Sequence, residues 1–156
     1  MTNQTPEPKI AYEIRSVTSP TGEVEEIGLL QSAERVHRQL RTKLPDDYVA
    51  KMHLVFAGGG RMCVALRGDK VIGLAVYRLI EETLGGRQIF VDDLVTDEAQ
   101  RSTGVGTGIL AFLEQEARRM GCWTVTLDSG VQRANAHKFY FREGYRIVSY
   151  HFAKDL

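Results

Sequence analysis

Two glycines, Gly104 and Gly106, stand between a strand-like run and an amphipathic helix. Residues 89–95 are apolar and β-branched, which predicts a strand, and the apolar residues from Val105 onwards recur at helical spacing. A turn of this kind directs free backbone N–H groups and the positive end of the helix dipole at whatever binds there. Arg101 adds a permanent cation just before the turn. The pattern predicts an anion-binding turn, and a pyrophosphate suits it best.

Three glycine-rich signatures compete for this turn. The dinucleotide fingerprint G-x-G-x-x-G fails because Ile109 occupies the position of its third glycine, and no acidic residue is well placed for a ribose. The Walker A loop fails because no lysine follows the glycines. What remains is R-x-x-G-x-G after a strand, over residues 101–106, which resembles the acyl-CoA signature of the GNAT superfamily of N-acyltransferases.

A second segment strengthens the resemblance. Residues 136–145, AHKFYFREGY, are similar to the family segment A-x-x-[FL]-Y-x-x-x-G-[FY], spacing included. Residues 93–101 look like the fourth strand of the family and its exit loop. Many members carry an asparagine seven residues before the tyrosine of this segment, where this chain has Arg133, and Asn135 lies two positions away. Asn135 is therefore the candidate for a cofactor contact from this loop.

The resemblance implies an enzyme and its co-substrate. We expect an acyl-CoA-dependent N-acetyltransferase that moves an acetyl group from acetyl-CoA to a primary amine by direct attack. The alternative is a non-catalytic GNAT-fold module that binds acyl-CoA as a sensor or interaction domain. An unrelated nucleotide-binding protein would need a dinucleotide or triphosphate loop that these residues do not form.

Catalysis of this transfer needs a base for the amine and an acid for the departing thiolate. The resemblance implies that Tyr140 is the acid, since a phenol with a pKa of about 10 can donate a proton. It implies Asp92 as the base, directly or through water, and Asp93 is the alternative candidate. Asp92 and Asp93 are neighbours on a strand, so their side chains are expected on opposite faces, with at most one facing the cleft.

The resemblance also implies the remaining cofactor contacts. A strand bulge at Leu94 would offer its N–H to the carbonyl oxygen of the thioester, and its neighbours would pair with the pantetheine arm as a further strand would. The expected cofactor-binding residues are Leu94, Val95, Thr96, Arg101, Ser102, Thr103, Gly104, Val105, Gly106, Thr107 and Asn135.

The acceptor is a primary amine of a small molecule or a protein, and its site is expected in the first two helices and nearby loops. Acidic residues there hint at a cationic acceptor, such as a polyamine, an aminoglycoside or a lysine side chain. The residues behind this hint are Asp46, Asp47, Tyr48, Glu81 and Glu82.

Composition excludes several classes of protein. Lys+Arg and Asp+Glu are both 20 among 156 residues, and this balance argues against a general nucleic-acid binder. The chain has no run long and apolar enough for a membrane span, and it does not open on a signal peptide. Two cysteines and four histidines at scattered positions predict no metal site. A cytoplasmic protein with reduced thiols is expected.

The elements that must position these residues predict an α/β fold, α+β in some schemes. Residues 9–156 form a single GNAT-like domain after a flexible tail of residues 1–8. Strands are expected at 10–17, 61–66, 71–80, 89–95 and 123–127, with helices at 22–41, after Pro45, after Gly104 and at 135–143. The resemblance implies a mixed, mostly antiparallel sheet whose two parallel strands splay apart. Residues 145–154 close the fold as extended structure and are a candidate edge for a homodimer.

Overall fold

A five-stranded sheet forms the centre of the protein in a computed structural model, which describes residues 11–156. The strands lie in chain order, and their bounds are β1 Glu13–Ser16, β2 Gly60–Arg67, β3 Lys70–Glu82, β4 Gly86–Thr96 and β5 Thr124–Leu127. All neighbours are antiparallel except β4 and β5, which are parallel. The predicted mixed, mostly antiparallel sheet is confirmed. The predicted tail, residues 1–8, lies outside the described residues.

Residues 11–156 contain four α-helices, and their bounds are α1 Ile27–Leu40, α2 Tyr48–Ala57, α3 Val105–Arg119 and α4 Ala134–Arg142. Three of them, α1, α2 and α3, cover the two faces of the sheet. On one face, α1 and α2 enclose a core with the apolar side chains of β2 and β3. On the other face, the apolar stripe of α3 packs on the sheet through residues such as Ile109 and Leu113. The chain between β4 and β5 is a crossover through α3, as a parallel pair requires.

The first helix begins later than predicted. The structure begins α1 at Ile27, because Gly22 adopts a positive φ of 91° and Val24 forms a β-bridge with Thr18. The helical spacing of apolar residues therefore starts before the helix does, within the turn that precedes it. The acids that follow Pro45 in the sequence favour a cap at the start of α2, and the Asp47 carboxylate accepts from the backbone N–H of Ala50 at 2.9 Å.

The parallel pair of strands diverges along its length. β5 pairs with β4 only from Gln88↔Thr124 to Val91↔Leu127, whereas β4 continues to Thr96. The second half of β4 therefore has β3 on one side and no described strand on the other. This is the splayed opening that the family resemblance implies.

The chain beyond α4 departs from the prediction of extended structure that closes the sheet. Residues 145–156 form no strand, because β5 is bonded to β4 alone and no described strand pairs with the tail. Large apolar side chains of this tail are exposed, namely Ile147, Val148, Tyr150, Phe152 and Leu156. The homodimer edge that was predicted here stays a prediction. No helix within residues 11–156 has the length and apolarity to cross a membrane.

One buried carboxylate fastens α1 to the end of β4. Asp97 is 1 % exposed and accepts from Arg35 at 2.7 Å and from Gln39 at 3.2 Å, both on α1. Its backbone N–H bonds to Ile72 of β3 at 2.9 Å. The hydrogen bond from Arg35 is the main reason that the pKa of Asp97 falls to about 2.

We predict that Asp97→Asn lowers the free energy of unfolding at pH 7 by about 2 kcal/mol. A lowered folded-state pKa stabilises the protein above the ordinary value of 3.8, and this contribution is lost as pH falls towards about 2. Urea unfolding at several pH values should therefore show the wild type and the variant converging in acid. Glu34→Gln is the matched control. Glu34 pairs with Arg38 at the surface, so this variant should lower the free energy of unfolding by less than about 0.5 kcal/mol.

Candidate functional site

The glycine turn before α3 has the geometry of an anion site. Gly104 is the N-cap residue with a φ of 85°, and neither a side-chain cap nor an acidic residue occupies the first turn. The first helical bond runs from the N–H of Gly108 to the carbonyl of Gly104 at 3.0 Å. The N–H groups of Val105, Gly106 and Thr107 therefore have no partner within the helix, and the dipole favours a negative charge beside them.

The residues leading into this turn are exposed and shaped by local bonds. Ser102 is the one non-glycine residue with a positive φ in the described chain, at 61°. The Thr103 hydroxyl donates to the carbonyl of Gln100 at 2.5 Å, and Arg101 lies exposed beside them. The Tyr12 hydroxyl donates to the Gly104 carbonyl at 3.0 Å, which ties the turn to the chain before β1. Residues 101–107, which were predicted to bind the cofactor, thus form one continuous segment around the glycine turn.

The opening beside β4 offers further backbone groups. The N–H of Asp97 bonds to β3, and strand alternation therefore directs the backbone groups of Leu94 and Thr96 away from β3, into the opening. Val95 lies between them, pairs with Leu74 of β3 and buries its side chain in the core. Of the three strand residues predicted to pair with a cofactor, Leu94 and Thr96 are those whose backbone faces the opening.

A β-bulge in β4 changes the predicted arrangement of the two acids. Asp93 pairs with Val76 and Val91 pairs with Tyr77, so Asp92 is an extra residue without a partner on β3. The bulge was expected at Leu94, and the structure has it two residues earlier. It also cancels the alternation of side chains, and both carboxylates line the same cleft beside α1 and α2. The expectation that they point to opposite faces is wrong for this reason.

Asp93 is held by donors on both carboxylate oxygens. His37 contacts Oδ2 through Nε2 at 2.8 Å, and Arg41 donates from Nε to Oδ1 at 2.7 Å. The other ring nitrogen of His37 lies 3.0 Å from the hydroxyl of Tyr48, and both of these residues are buried. Burial raises the pKa of Asp93, but the hydrogen bonds from His37 and Arg41 outweigh it and leave the pKa lowered.

Asp92 has a different environment. Arg78 donates from Nε to its Oδ2 at 2.7 Å, and its Oδ1 has no hydrogen bond to another residue in the described chain. Burial raises the pKa of Asp92, and the pairing with Arg78 reduces this effect without reversing it. Arg78 also donates to the carbonyl of Gly58 at the end of α2 at 2.6 Å. The two neighbouring carboxylates therefore have pKa values shifted in opposite directions.

Tyr140 lies on α4, next to the start of α3. Its ring is 5.3 Å from that of Phe139 and 5.9 Å from that of Tyr145. Burial raises its pKa, so the phenol is protonated at neutral pH. The two helices meet where the Thr107 hydroxyl donates to Glu143 at 2.8 Å.

Asn135 and Gly106 mark the two sides of this helix contact. Asn135 is exposed in the first turn of α4. A Cβ atom at Gly106 would lie 3.1 Å from the ring of Phe139, so the glycine permits the close approach of α3 and α4. The structure thus brings the predicted glycine turn and the predicted tyrosine segment to one end of the sheet.

The cleft that contains the two carboxylates lies between α1, α2 and β4. It has a volume of about 590 Å³ and is lined by cations as well as acids. Asp47 instead caps α2 and Glu81 pairs with Arg87, so these acids do not enter the cleft. None of the residues behind the hint of a cationic acceptor lines this cleft, and the hint stays a prediction. No group of three or more metal-binding side chains occurs within residues 11–156.

The three residues that bind the two carboxylates were missed in the sequence, namely His37, Arg41 and Arg78. His37 had a detectable signal, because it is a polar residue on the buried stripe of α1 that contains Ala33 and Val36. Arg41 and Arg78 had none, since their partners are distant in the chain.

Comparisons with known proteins agree with this geometry. A family model described as the Acetyltransferase (GNAT) family matches residues 25–145. The uncharacterized N-acetyltransferase YhdJ of Bacillus subtilis is 41% identical over 121 residues, which cover 76% of this chain and 85% of the relative. The aminoalkylphosphonate N-acetyltransferase of Salmonella typhimurium is 32% identical over 94 residues, which cover 60% of this chain and 61% of the relative.

Solved structures share the fold. The aminoglycoside N-acetyltransferase AAC(6')-Iy in complex with CoA superposes with a TM-score of 0.79 at 16% identity, covering 94% of this chain and 95% of that one. The aminoglycoside acetyltransferase meta-AAC0020 in complex with sisomicin has a TM-score of 0.77 at 15% identity, and the match covers 93% of this chain and 96% of that one. At such identities the similarity concerns the fold alone.

We predict that the two neighbouring acids differ in their effect on stability. Asp93→Asn should lower the free energy of unfolding at pH 7 by about 1–3 kcal/mol, because it disrupts a buried network. The lowered pKa of Asp93 stabilises the protein above its ordinary value of 3.8, so this loss should shrink in acid. Asp92→Asn should cost less than about 0.5 kcal/mol or stabilise, because a raised pKa means that the charged form is disfavoured in the folded state. Urea unfolding measures both, and equal losses would contradict the distinction.

Proposed function

The chain belongs to the GNAT family of acyl-CoA-dependent acetyltransferases, and on that premise we propose that it transfers an acetyl group from acetyl-CoA to a small-molecule primary amine by direct attack. The observation that carries the proposal is the path of β4. This strand leaves β5 after Val91, turns both Asp92 and Asp93 into one cleft, and runs on to the glycine turn. A cofactor opening and an acceptor cleft therefore meet along one strand.

The chain's own residues suit the co-substrate. The free N–H groups of residues 105–107 and the cation of Arg101 would hold the pyrophosphate, with Ser102 and Thr103 at the rim. The backbone of Leu94 and Thr96 would pair with the amides of the pantetheine arm. Asn135 would contribute from the start of α4.

The thioester supplies an activated acyl group, and the residues around it would move two protons. The amine nitrogen forms a bond to the carbonyl carbon, and the bond from that carbon to sulfur breaks. The Leu94 N–H would stabilise the negative charge that develops on the carbonyl oxygen. Asp92 would accept the proton that the amine loses, directly or through water, and Tyr140 would give a proton to the leaving sulfur. Proximity of the two substrates supplies much of the rate.

Asp92 is a better candidate base than Asp93. Its pKa is raised by burial and one of its oxygens is free of described partners, so it is the better proton acceptor of the two. Both oxygens of Asp93 are engaged by His37 and Arg41, and its pKa is lowered. We assign Asp93 the role of positioning α1 against β4, with His37 and Tyr48 as its support.

The acceptor is proposed to be a small molecule because the cleft is a concave cavity beside the reacting carboxylate. The curated relative that acts on aminoalkylphosphonates and the structural neighbour that binds sisomicin are both N-acetyltransferases of small amines by their names. A cytoplasmic location and a homodimer formed through residues 145–156 stay predictions.

We predict that Tyr140→Phe lowers kcat about a hundredfold, because the leaving thiolate loses its proton donor. Release of free thiol from acetyl-CoA over a panel of amines measures this, with Tyr150→Phe in the exposed tail as the matched control. Asp92→Asn should lower the rate most at pH values below the pKa of the free amine. The difference from the wild type should shrink as pH rises, because the amine then loses its proton in solution. Tight acetyl-CoA binding without turnover on any amine would favour the sensor module instead.

We predict that Gly104→Ala weakens acetyl-CoA binding about tenfold, because alanine strains the left-handed N-cap that shapes the turn. Gly121→Ala is the matched control at the other end of α3, since this glycine also has a positive φ and its Cβ would meet no atom within 4 Å, as at Gly104. Both variants should lose about 1–2 kcal/mol of stability, and only Gly104→Ala should raise the KM for acetyl-CoA. An equal rise in both would contradict a specific role for the turn.

A further inference from the structure

The charges of the acceptor cleft are unequal. Four cationic side chains line the cavity of about 590 Å³, namely Arg41, Lys43, Lys51 and Arg78. Only two carboxylates, Asp92 and Asp93, line it with them. The cleft therefore carries an excess of two positive charges, although the whole chain is formally neutral.

The two arginines of the cleft are already neutralised. Arg41 donates to Asp93 and Arg78 donates to Asp92, each at 2.7 Å. Their guanidinium groups serve to hold the acids, and the acids cancel their charge at close range. Neither arginine accounts for the excess.

The two lysines produce the excess. Lys43 lies in the connection between α1 and α2, and Lys51 lies in the first turn of α2. Both are exposed, and neither forms an ion pair within residues 11–156. The N-terminus of α2 does not add a site of its own, because Asp47 caps it.

Apolar side chains also line the cleft. Leu44, Met52 and Val55 contribute to its walls, together with Val76 of β3. A short alkyl chain fits such walls, with a polar group at each end. One end would meet the carboxylate proposed as base and the other would meet the ammonium groups on the helical side.

We infer that the acceptor is an amine that also carries an anionic group, a phosphonate, phosphate or carboxylate, which Lys43 and Lys51 bind while the amino group faces Asp92. The inference rests on the proposed function, because it names the acceptor class of the same transfer. A dianionic group matches the two uncompensated lysines best. A polyamine would instead bring a second ammonium group towards them and be repelled.

The test compares amines of similar length that differ in the charge of the second group. Aminoethylphosphonate, β-alanine, propanolamine and diaminopropane carry a dianion, a monoanion, a neutral hydroxyl and a cation in that place. Thiol release from acetyl-CoA should give kcat/KM values that fall in this order, with about a hundredfold between the first and the last. Equal or reversed values for the anionic and cationic amines would overturn the inference.

Variants of the lysines make the test specific. Lys43→Gln and Lys51→Gln should each raise the KM for aminoethylphosphonate about tenfold and should change the KM for propanolamine far less. Lys51→Glu should shift preference towards diaminopropane, and it should fold well because an acid suits the first turn of a helix. Lys154→Gln, at an exposed position in the C-terminal tail, is the matched control and should change nothing. Lysine variants indistinguishable from this control would also overturn the inference.

Binding separates a failure of the inference from a failure of the proposed function. If no amine is turned over, isothermal titration of aminoethylphosphonate still measures the anion site. Binding that Lys51→Glu abolishes would support the anion site while the proposed transfer fails. Absence of binding would overturn the inference by itself.

Discussion

The β-bulge at Asp92 is the constraint on which the site depends. Before it, Ile89 and Val91 face the core under α3, and after it Leu94 faces that core again. One inserted residue allows both Asp92 and Asp93 to face the opposite side without moving any apolar residue out of the core. The strand can therefore serve a hydrophobic core on one face and a charged cleft on the other within eleven residues.

The second half of β4 needs support because β5 no longer pairs with it. That support comes from α1, through Arg35 and Gln39 to Asp97 and through His37 and Arg41 to Asp93. These links are polar, so they hold the strand without filling the opening on its other edge. Where the two parallel strands diverge, the charged face of α1 thus takes over the support of β4.

The sequence predicts the elements well where the signal is local. Helical spacing, the Asp47 cap and the glycine turn depend on neighbouring residues, and the structure has them within a few positions. The bulge depends on how β4 pairs with β3, which lies elsewhere in the chain. Strict alternation of side chains along β4 alone therefore predicted opposite faces for Asp92 and Asp93, which is wrong. Asp47 and Glu81 lie outside the cleft because each has a local partner, the backbone N–H of Ala50 for Asp47 and the Arg87 side chain for Glu81.

Charge shows why composition alone says little about a ligand. The chain balances 20 cations with 20 anions, yet many of the acids are consumed in ion pairs and caps around the cleft. An acid that is paired with an arginine cancels at short range, whereas a lysine without a partner keeps its field in the cavity. The character of the acceptor cleft is therefore set by Lys43 and Lys51, which stay unpaired among the described residues, rather than by the number of acids near it. A neutral protein can in this way present a positive site to a substrate.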